Sequence, residues 1–299
     1  MLNDKSVEAF LSDHEHRQIG GGQSGARIWE IDGRYVLKHV IKDMLPEPEM
    51  FPLYLNEALF YQFYREEGHG EALPCLPEVL ETRVSDREIL LLMKKYRQPS
   101  KEALDDGLLR GIMRALAQVH TREIPDFLKR PQGEPGYLKA ERIAECVDGW
   151  RSVLAEHPGA LDPGILERTA DRINQIIGWH HEEPQVLCHG DFHWDNLLLR
   201  ENGEIVICDW QGVNGGGASG DISFFISRLG ADGTEIAPEK LVEIYVQERA
   251  LLTGETLSED ILLGHMQAAN SITTFQFWHE YLHGSACGRV RGIYEKMGK

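Results

Sequence analysis

The pattern of apolar and polar residues differs between the first and the second part of the chain. Up to about residue 95, short apolar runs typical of strands alternate with one helical stretch. The predicted elements are a strand pair within 26–40, a helix at 54–66, and strands at 77–84 and 87–96. Asp32 and Gly33 suit a tight hairpin turn between the first two strands. We expect the glycine-rich residues 20–25 to form a flexible loop before that hairpin.

Beyond Pro99 the apolar residues recur at helical spacing. Leu108, Ile112 and Leu116 fall on one face of a helix predicted at 104–120. Further helices are predicted near 137–156, 163–181, 238–253 and 259–282, the last with Ser258 as its N-cap. We therefore predict an α+β fold with a small β-rich N-terminal lobe, residues 1–95, and a larger helical C-terminal lobe, residues 96–299.

Composition and charge narrow the classes of protein. Hydrophobic residues make up 42% of the chain, but the longest apolar run, 89–93, is far short of the roughly twenty residues that span a bilayer. We expect no membrane partner and, because the first twenty residues hold no apolar stretch, no signal peptide. The net charge of −17 argues against a nucleic-acid partner, and it is compatible with either a cationic small substrate or ordinary solubility.

The cysteines bear on the cellular compartment. The sequence contains five of them, and they form no C-x-x-C pair and no cluster with metal-ligand spacing. A scattered, odd-numbered set favours reduced thiols, so we expect a cytoplasmic protein. The sequence does not indicate the oligomeric state.

One β-hairpin, 196–210, interrupts the helical part, and its predicted turn is Asn202-Gly203. Pairing of its strands would bring Asn196 and Asp209 to the same end of the ribbon, and Asp191 lies in the loop that leads into it. The amide and one or two carboxylates at this edge suit Mg²⁺, and a carboxylate that does not bind the ion is free to act as a base. The alternative is a polar loop that only caps the hairpin.

The residues HGDFHWDN (189–196), followed by an apolar strand that ends at Asp209, resemble the catalytic loop and metal site of the aminoglycoside phosphotransferase and choline kinase-like family. That resemblance implies a two-lobed protein kinase-like fold. It also implies that Asp191 takes the proton of a substrate hydroxyl, and that Asn196 and Asp209 hold Mg²⁺ on the phosphates of ATP or GTP.

The N-terminal residues extend the resemblance. Gly22, Gln23 and Ser24 resemble the family's phosphate loop, in which a serine at the tip approaches the phosphates. By the same resemblance Lys38 would contact the α- and β-phosphates, and Glu57 on the predicted helix would position that lysine. A flexible turn and a solvated edge lysine are the alternatives for these segments taken singly.

The segment LLLMKKY (90–96) resembles the strand and hinge between the lobes. The resemblance implies that the backbone of Lys94 and Tyr96 binds the adenine and that Met93 borders its pocket. Many family members carry an acid just after this strand, whereas this chain has Lys94 and Lys95, so the choice between ATP and GTP stays open.

Four further residues lie within the motif or downstream of it. Asp221, in GDISFF, matches a family acid that supports the catalytic-loop backbone, so we expect a structural role for it. We expect His189 to be a structural loop residue, and we assign no direct chemical role to His193 or Asp195.

The acceptor is the least determined part of the prediction. Trp278, Glu280 and Tyr281 could face a cation, but Phe275, Trp278 and Leu282 also have the spacing of core residues. The predicted function is transfer of the γ-phosphoryl group to a hydroxyl of a small molecule, with an aminoglycoside-like or choline-like amine as one class of acceptor. A kinase for a neutral sugar or an amino-acid alcohol is one alternative. A nucleotide-binding pseudokinase scaffold is another, and the intact Lys38 and Asp191 disfavour it.

Overall fold

A five-stranded antiparallel sheet forms the N-terminal part of the protein. The structure is a computed structural model that describes residues 6–21, 25–65, 73–129, 133 and 135–298. The elements of this part are α1 (Val7–Ser12), β1 (His16–Gly21), β2 (Arg27–Ile31), β3 (Tyr35–Ile41), α2 (Phe51–Arg65), β4 (Val79–Val84) and β5 (Glu88–Lys94). The strand order is β1-β2-β3-β5-β4, so β3 and β5 lie inside the sheet.

The predicted hairpin at Asp32 and Gly33 is confirmed. Both residues have positive φ angles, 51° and 68°, which is the backbone of the tight turns that join twisted strands. Lys38 lies on β3 opposite Ile28 of β2 and Leu91 of β5. The lysine is therefore held by the centre of the sheet, where its backbone position is fixed on both sides.

The prediction of a loop at 20–25 was wrong at its start. Gly20 and Gly21 belong to β1, a strand that the sequence pattern did not indicate because its run HRQIGG carries a single aliphatic side chain. Pairing with β2, from His16 opposite Ile31 to Gly21 opposite Arg27, creates the strand. Residues 22–24 lie outside the described part of the chain.

Helices dominate the remainder. They are α3 (Asp106–His120), α4 (Ala140–Ala155), α5 (Pro163–His181), α6 (Ala218–Ala231), α7 (Pro238–Thr253), α8 (Glu259–Phe277) and α9 (Cys287–Tyr294). Ser258 caps α8 as predicted, because its hydroxyl accepts a hydrogen bond from Ile261 N–H at 3.3 Å. The predicted helix 259–282 is shorter than expected, since α8 ends at Phe277 and a 3₁₀ turn, Trp278–Tyr281, follows.

Two small sheets lie among these helices. The predicted hairpin is confirmed as β7 (Leu197–Leu199) paired with β8 (Ile205–Ile207), and Gly203 in its turn has a φ of 86°. The second sheet pairs β6 (Gln185–Cys188) with β9 (Asn214–Gly217). Together the two sheets carry the polar residues of the HGD segment between them.

One continuous core connects the sheet with the helices. Phe60 and Tyr61 of α2 belong to the same buried cluster as Leu116 of α3 and Ile207 of β8. A second cluster, around Trp150 and Tyr294, lies between α4, α5, α8 and α9. The division into lobes at residues 95 and 96 stays a prediction.

Two observations concern the compartment and the membrane. None of the helices in the described part of the chain combines the length and the apolar composition that a bilayer-spanning helix needs. The cysteines are unpaired in the described structure, and Cys75, Cys146 and Cys188 are buried.

Candidate active site

Three charged side chains meet where the sheet faces the β7–β8 hairpin. The ammonium of Lys38 lies 2.7 Å from Glu57 Oε2 and 2.5 Å from Asp209 Oδ1. Lys38 and Glu57 are buried, whereas 37% of the Asp209 side chain is exposed. The contact predicted between Lys38 and Glu57 is therefore present, and Asp209 joins it from 171 positions further along the chain.

Electrostatics keep Lys38 charged despite its burial. Burial alone would lower the pKa of the ammonium, but the charges of Glu57 and Asp209 outweigh it and raise the pKa above its usual value. The Tyr54 ring, 5.2 Å from the Nζ atom, adds a cation–π contact. One cation between two carboxylates leaves a net negative charge, and the exposed side of that charge belongs to Asp209.

Besides holding Lys38, Glu57 binds the backbone directly after Asp209. Its Oε1 atom accepts a hydrogen bond from the backbone N–H of Trp210 at 3.2 Å, so α2 is tied to the residue directly after Asp209. The Trp210 ring stacks on Phe60 of α2 at 4.5 Å, and its indole N–H donates to Ile207 O at 2.7 Å. These contacts surround Asp209 in a left-handed backbone conformation, φ 62° and ψ 62°, which residues other than glycine adopt uncommonly.

Asp191 and Asn196 contact each other in the loop between β6 and β7. The Asn196 amide nitrogen donates to the Asp191 carbonyl oxygen at 2.9 Å and lies 3.4 Å from the Asp191 carboxylate. His193, on the same loop, lies 3.5 Å from that carboxylate and 3.1 Å from the Asn196 nitrogen. Contact with the His193 ring is the main cause of a pKa of Asp191 below its usual value. Asp191 is thus an ionised carboxylate at neutral pH.

His189 links this loop to the strand that ends at Asp209. Its Nδ1 atom accepts from the Asp191 N–H at 3.3 Å, and its Nε2 atom lies 3.0 Å from the Cys208 carbonyl oxygen. Because a backbone N–H can only donate and a carbonyl can only accept, the ring is neutral with its proton on Nε2. Burial lowers the pKa of His189, in agreement with the neutral form. The predicted structural role of His189 matches these contacts.

Asp221, at the start of α6, holds the backbone of the HGD loop through hydrogen bonds. Its carboxylate accepts hydrogen bonds from the backbone N–H groups of His189 at 2.8 Å and Gly190 at 2.9 Å. His120 of α3 lies 3.2 Å away and reaches the hydroxyl of Tyr245 at 2.8 Å through its other nitrogen. Burial opposes ionisation of Asp221, but the hydrogen bond and charge of His120 prevail, so the pKa is lowered. The expected support of the loop by Asp221 is confirmed.

Gly190 explains why the loop can approach its neighbour so closely. Its φ is 79°, and a Cβ atom there would lie 2.0 Å from the carbonyl oxygen of Gly212. Any side chain at this position would push the HGD loop away from the turn that follows Asp209. The glycine therefore allows Asp191 and Asp209 to sit on neighbouring segments.

A cleft of about 290 Å³ opens beside these residues. Most of its wall is apolar, and the charged cluster lies at its polar end. The residues that line it are Ile19, Ile28, Val36, Lys38, Glu57, Pro77, Met93, Lys94, Lys95, Tyr96, Asn196, Leu198, Cys208 and Asp209. An apolar slot with convergent polar groups at one end is typical of a small-molecule site.

The three predicted hinge residues, Met93, Lys94 and Tyr96, all border this cleft. The backbone N–H of Lys94 donates to Glu78 O at 2.9 Å. Only the carbonyl oxygen of Lys94 is therefore left to bind a nucleotide base. Lys95, which follows, forms an ion pair with Glu30 at 2.7 Å. The predicted phosphate-loop residues Gly22, Gln23 and Ser24 lie outside the described residues.

The donor set at the polar end fits a magnesium ion. The Asn196 amide uses its nitrogen for Asp191, which leaves its oxygen, and one Asp209 oxygen is left beside the one that faces Lys38. Both residues line the cleft, and amide and carboxylate oxygens are the ligands that Mg²⁺ takes. Asn196 and Asp209 are therefore the residues that would hold it.

Residues 275–282, where a cation-facing surface and a core packing were the two alternatives, include both buried and exposed side chains. Phe275 and Leu282 are buried in the second core cluster, and Trp278 is partly buried against it. Tyr281 is 68% exposed, and Glu280 lies 3.8 Å from a guanidinium nitrogen of Arg142. The core interpretation thus holds for Phe275 and Leu282 and in part for Trp278, whereas Tyr281 and Glu280 of the cation-facing alternative lie at the surface.

Two site residues were missed by the sequence reasoning. His193 received no chemical role, yet it contacts both Asp191 and Asn196. Its position between the two motif residues was the signal that could have indicated the contact. His120 was treated only as the end of a helix, and nothing near it in the sequence indicates Asp221, which is 101 positions away.

Comparisons with known proteins agree with this geometry. The sequence model described as the APH phosphotransferase enzyme family matches residues 15–253. A search of curated proteins finds no significant match.

Solved structures give the fold. The Plasmodium vivax ethanolamine kinase is similar with a TM-score of 0.58 and 12% identity, covering 99% of this chain and 83% of that one. An aminoglycoside phosphotransferase from Alicyclobacillus acidocaldarius has a TM-score of 0.55 and 13% identity, covering 99% and 93%. The ADP-bound aminoglycoside phosphotransferase APH(2'')-Ib has a TM-score of 0.53 and 16% identity, covering 99% and 97%. The chain has the α+β fold of these kinases, and it belongs to the phosphotransferase enzyme family whose model spans most of its length.

Proposed function

We propose that this protein transfers the γ-phosphoryl group of ATP or GTP to a hydroxyl of a small molecule. The observation that carries the proposal is the meeting of Lys38, Glu57 and Asp209 at one end of an apolar cleft, with Asp191 on the adjoining loop. Phosphoryl transfer needs positioning and charge neutralisation more than covalent chemistry, and this arrangement supplies both.

Each residue then has a definite task. The base of the nucleotide lies between the apolar walls and contacts the Lys94 carbonyl and the Tyr96 backbone, with Met93 beside it. Lys38, held by Glu57, contacts the phosphates through its ammonium. Gly22, Gln23 and Ser24, which lie outside the described residues, stay predicted phosphate-loop residues by the family resemblance. A magnesium ion held by Asn196 and Asp209 would neutralise charge on the phosphates.

Asp191 acts as the general base. It is ionised at neutral pH, because an aspartate is so already at its usual pKa and contact with His193 lowers that pKa further, and 34% of its side chain is exposed, so an incoming hydroxyl can reach it. It accepts the hydroxyl proton as the oxygen attacks the γ-phosphorus, and the nucleoside diphosphate leaves. His193 orients the carboxylate through the contact at 3.5 Å.

The net charge and the similar structures support an amine as the class of acceptor. Similar structures include an ethanolamine kinase and aminoglycoside phosphotransferases, whose named substrates are amines. A chain with a net charge of −17 suits such cations. An amino alcohol or an amino sugar is therefore the proposed acceptor, with a neutral sugar or an amino-acid alcohol as the second candidate.

The test is Mg²⁺-dependent turnover of ATP and of GTP with a pooled panel of hydroxyl compounds that spans aminoglycosides, amino alcohols and neutral sugars. We expect turnover to rise with one amine-containing pool. Turnover only with a neutral pool would move the assignment to the second candidate. Tight nucleotide binding without transfer to any pool would instead identify a scaffold.

A further inference from the structure

A cluster of metal-ligating side chains lies away from the cleft, where α5 ends against α8. It consists of His180, Glu183 and His265, and one potential ligand atom from each residue lies within 4.8 Å of the other two. We propose that this cluster, the His-Glu-His cluster, binds a divalent transition-metal ion of the zinc class. The proposal does not depend on the phosphoryl-transfer function.

Unpartnered nitrogen atoms give the main reason. The Nδ1 atoms of His180 and His265 are both buried, and neither has a hydrogen-bond partner among the described residues. His265 is only 5% exposed, so its Nδ1 atom is shielded from water. Buried polar atoms in native proteins nearly always have a partner, and a pair of adjacent exceptions beside a carboxylate indicates a missing ligand.

The surroundings hold the cluster in place. Trp179 stacks on the His265 ring with centroids 4.3 Å apart and planes 12° apart. This approach requires Gly264, where a Cβ atom would lie 2.4 Å from the Trp179 ring. The Glu183 carboxylate accepts hydrogen bonds from the Ser219 N–H at 2.8 Å and the Ser219 hydroxyl at 2.5 Å. Fixed orientation of ligands by neighbouring groups is typical of metal sites.

The donor set selects the kind of ion. Two imidazoles and one carboxylate suit zinc and similar ions, whereas magnesium and calcium take oxygen ligands.

The distances also fit. Zinc ligands lie about 2.0–2.2 Å from the ion, which separates tetrahedral ligand atoms by roughly 3.3 Å. His180 Nδ1 and Glu183 Oε2 are 3.9 Å apart, so a small side-chain movement closes the site. His180 and Glu183 also line a cavity of about 930 Å³, which gives an ion a route to the cluster.

A second cluster of ligating residues, His120, Cys188 and Asp221, provides a useful contrast. Unlike the Nδ1 atoms of His180 and His265, both nitrogens of His120 in this second cluster already have partners, Tyr245 and Asp221. That cluster is satisfied by the protein itself, so we assign the metal only to the His-Glu-His cluster.

The test uses the full chain without a histidine tag, stripped of metal and kept in excess Mg²⁺ to occupy oxygen-rich sites. Zn²⁺ binding is measured by titration calorimetry, and Co²⁺ binding by its visible absorption. Wild type should bind one ion with the absorption of a four-coordinate Co²⁺ site. His180→Ala, Glu183→Gln and His265→Ala should each weaken binding by at least about 10-fold.

His283→Ala is the matched control, because His283 pairs with Glu156 at 2.7 Å on the surface and should not affect binding. If His265→Ala fails to fold, as judged by circular dichroism, the more exposed His180→Ala and the near-isosteric Glu183→Gln decide the question. Wild type that binds neither ion, or binding that these variants leave unchanged, would overturn the proposal. A loss equal to that in the control would do the same.

Discussion

Replacement of Asp209 by asparagine tests whether this residue is a metal ligand or only a structural acid. The change keeps the side-chain shape but removes the negative charge that faces Lys38 at 2.5 Å and the open cleft. Because 37% of the side chain is exposed, solvent screens its ion pair, and we expect a loss of about 1 kcal/mol or less in the free energy of unfolding. The larger effect should fall on catalysis.

The catalytic loss follows from charge. Lys38, Glu57 and Asp209 together carry one net negative charge, and in Asp209→Asn the sum is zero. A hard cation then loses its charged ligand, and charge on the transferring phosphoryl group is less well neutralised. We expect kcat to fall by about 10²-fold or more, the scale of losing one major electrostatic stabiliser, with a requirement for higher Mg²⁺.

Asp221→Asn is the matched control, since it makes the same chemical change at a buried carboxylate. Asp221 is 3% exposed and accepts hydrogen bonds from two backbone N–H groups of the loop. We expect a loss of about 2–4 kcal/mol in the free energy of unfolding, with the Mg²⁺ requirement of the folded protein unchanged. The assays are activity against Mg²⁺ concentration and denaturant unfolding for both variants. A wild-type Mg²⁺ curve for Asp209→Asn would refute the reasoning.

Three further predictions concern the same site. Lys38→Ala and Glu57→Gln should each weaken productive nucleotide binding. The loss in the double variant should be smaller than the sum of the two single losses, because the two side chains act as one unit. Additive losses in a kinetic double-mutant cycle would count against the pairing. Because the pKa of Asp221 is lower in the folded protein than in the unfolded chain, its ionised carboxylate stabilises the fold at pH values above the unfolded pKa of about 3.9. This stabilisation is lost as the pH falls through the pKa of the folded protein. Wild type should therefore lose more stability than Asp221→Asn when denaturant unfolding is followed from neutral pH to below about pH 4, and parallel curves would disprove this. His193→Ala should raise the pKa of Asp191 and move the acidic limb of the pH–kcat profile to higher pH, and an unmoved limb would remove His193 from the positioning role.

The parts of the site that were predicted from sequence are those in which neighbours along the chain dictate the geometry. Asn196 and Asp209 are brought to one end of a hairpin by a short turn at Asn202-Gly203, and strand pairing needs no further information. Lys38 could be placed on a strand because apolar residues flank it, and Glu57 on a helix for the same reason.

Elements that depend on distant partners escaped prediction. The strand β9 reads Asn-Gly-Gly-Gly, which has no apolar pattern, and it forms because Val186 and Leu187 of β6 offer it a partner. The helix α6 was missed because its start is rich in glycine and serine. It is set in place by Glu183, whose carboxylate accepts from the Ser219 N–H near the first turn.

The contacts that hold the loop are also long-range. The hydrogen bonds of Asp221 to the loop span 32 and 31 positions, and its contact with His120 spans 101. No periodicity or spacing encodes such contacts, so the support of the loop by Asp221 was expected only from the family resemblance, and its contact with His120 was not predicted at all.

The most direct test of the central claim compares nucleotide binding with phosphoryl transfer in wild type and Asp191→Asn. Binding of ATP with Mg²⁺ would be measured by calorimetry, and transfer to the acceptor by the appearance of its phosphate ester in phosphorus NMR. The proposed mechanism predicts nearly equal Kd values and a kcat lower by about 10²–10⁴-fold in the variant, the usual contribution of a positioned general base. Transfer by Asp191→Asn at the wild-type rate, in a folded protein with bound nucleotide, would contradict it.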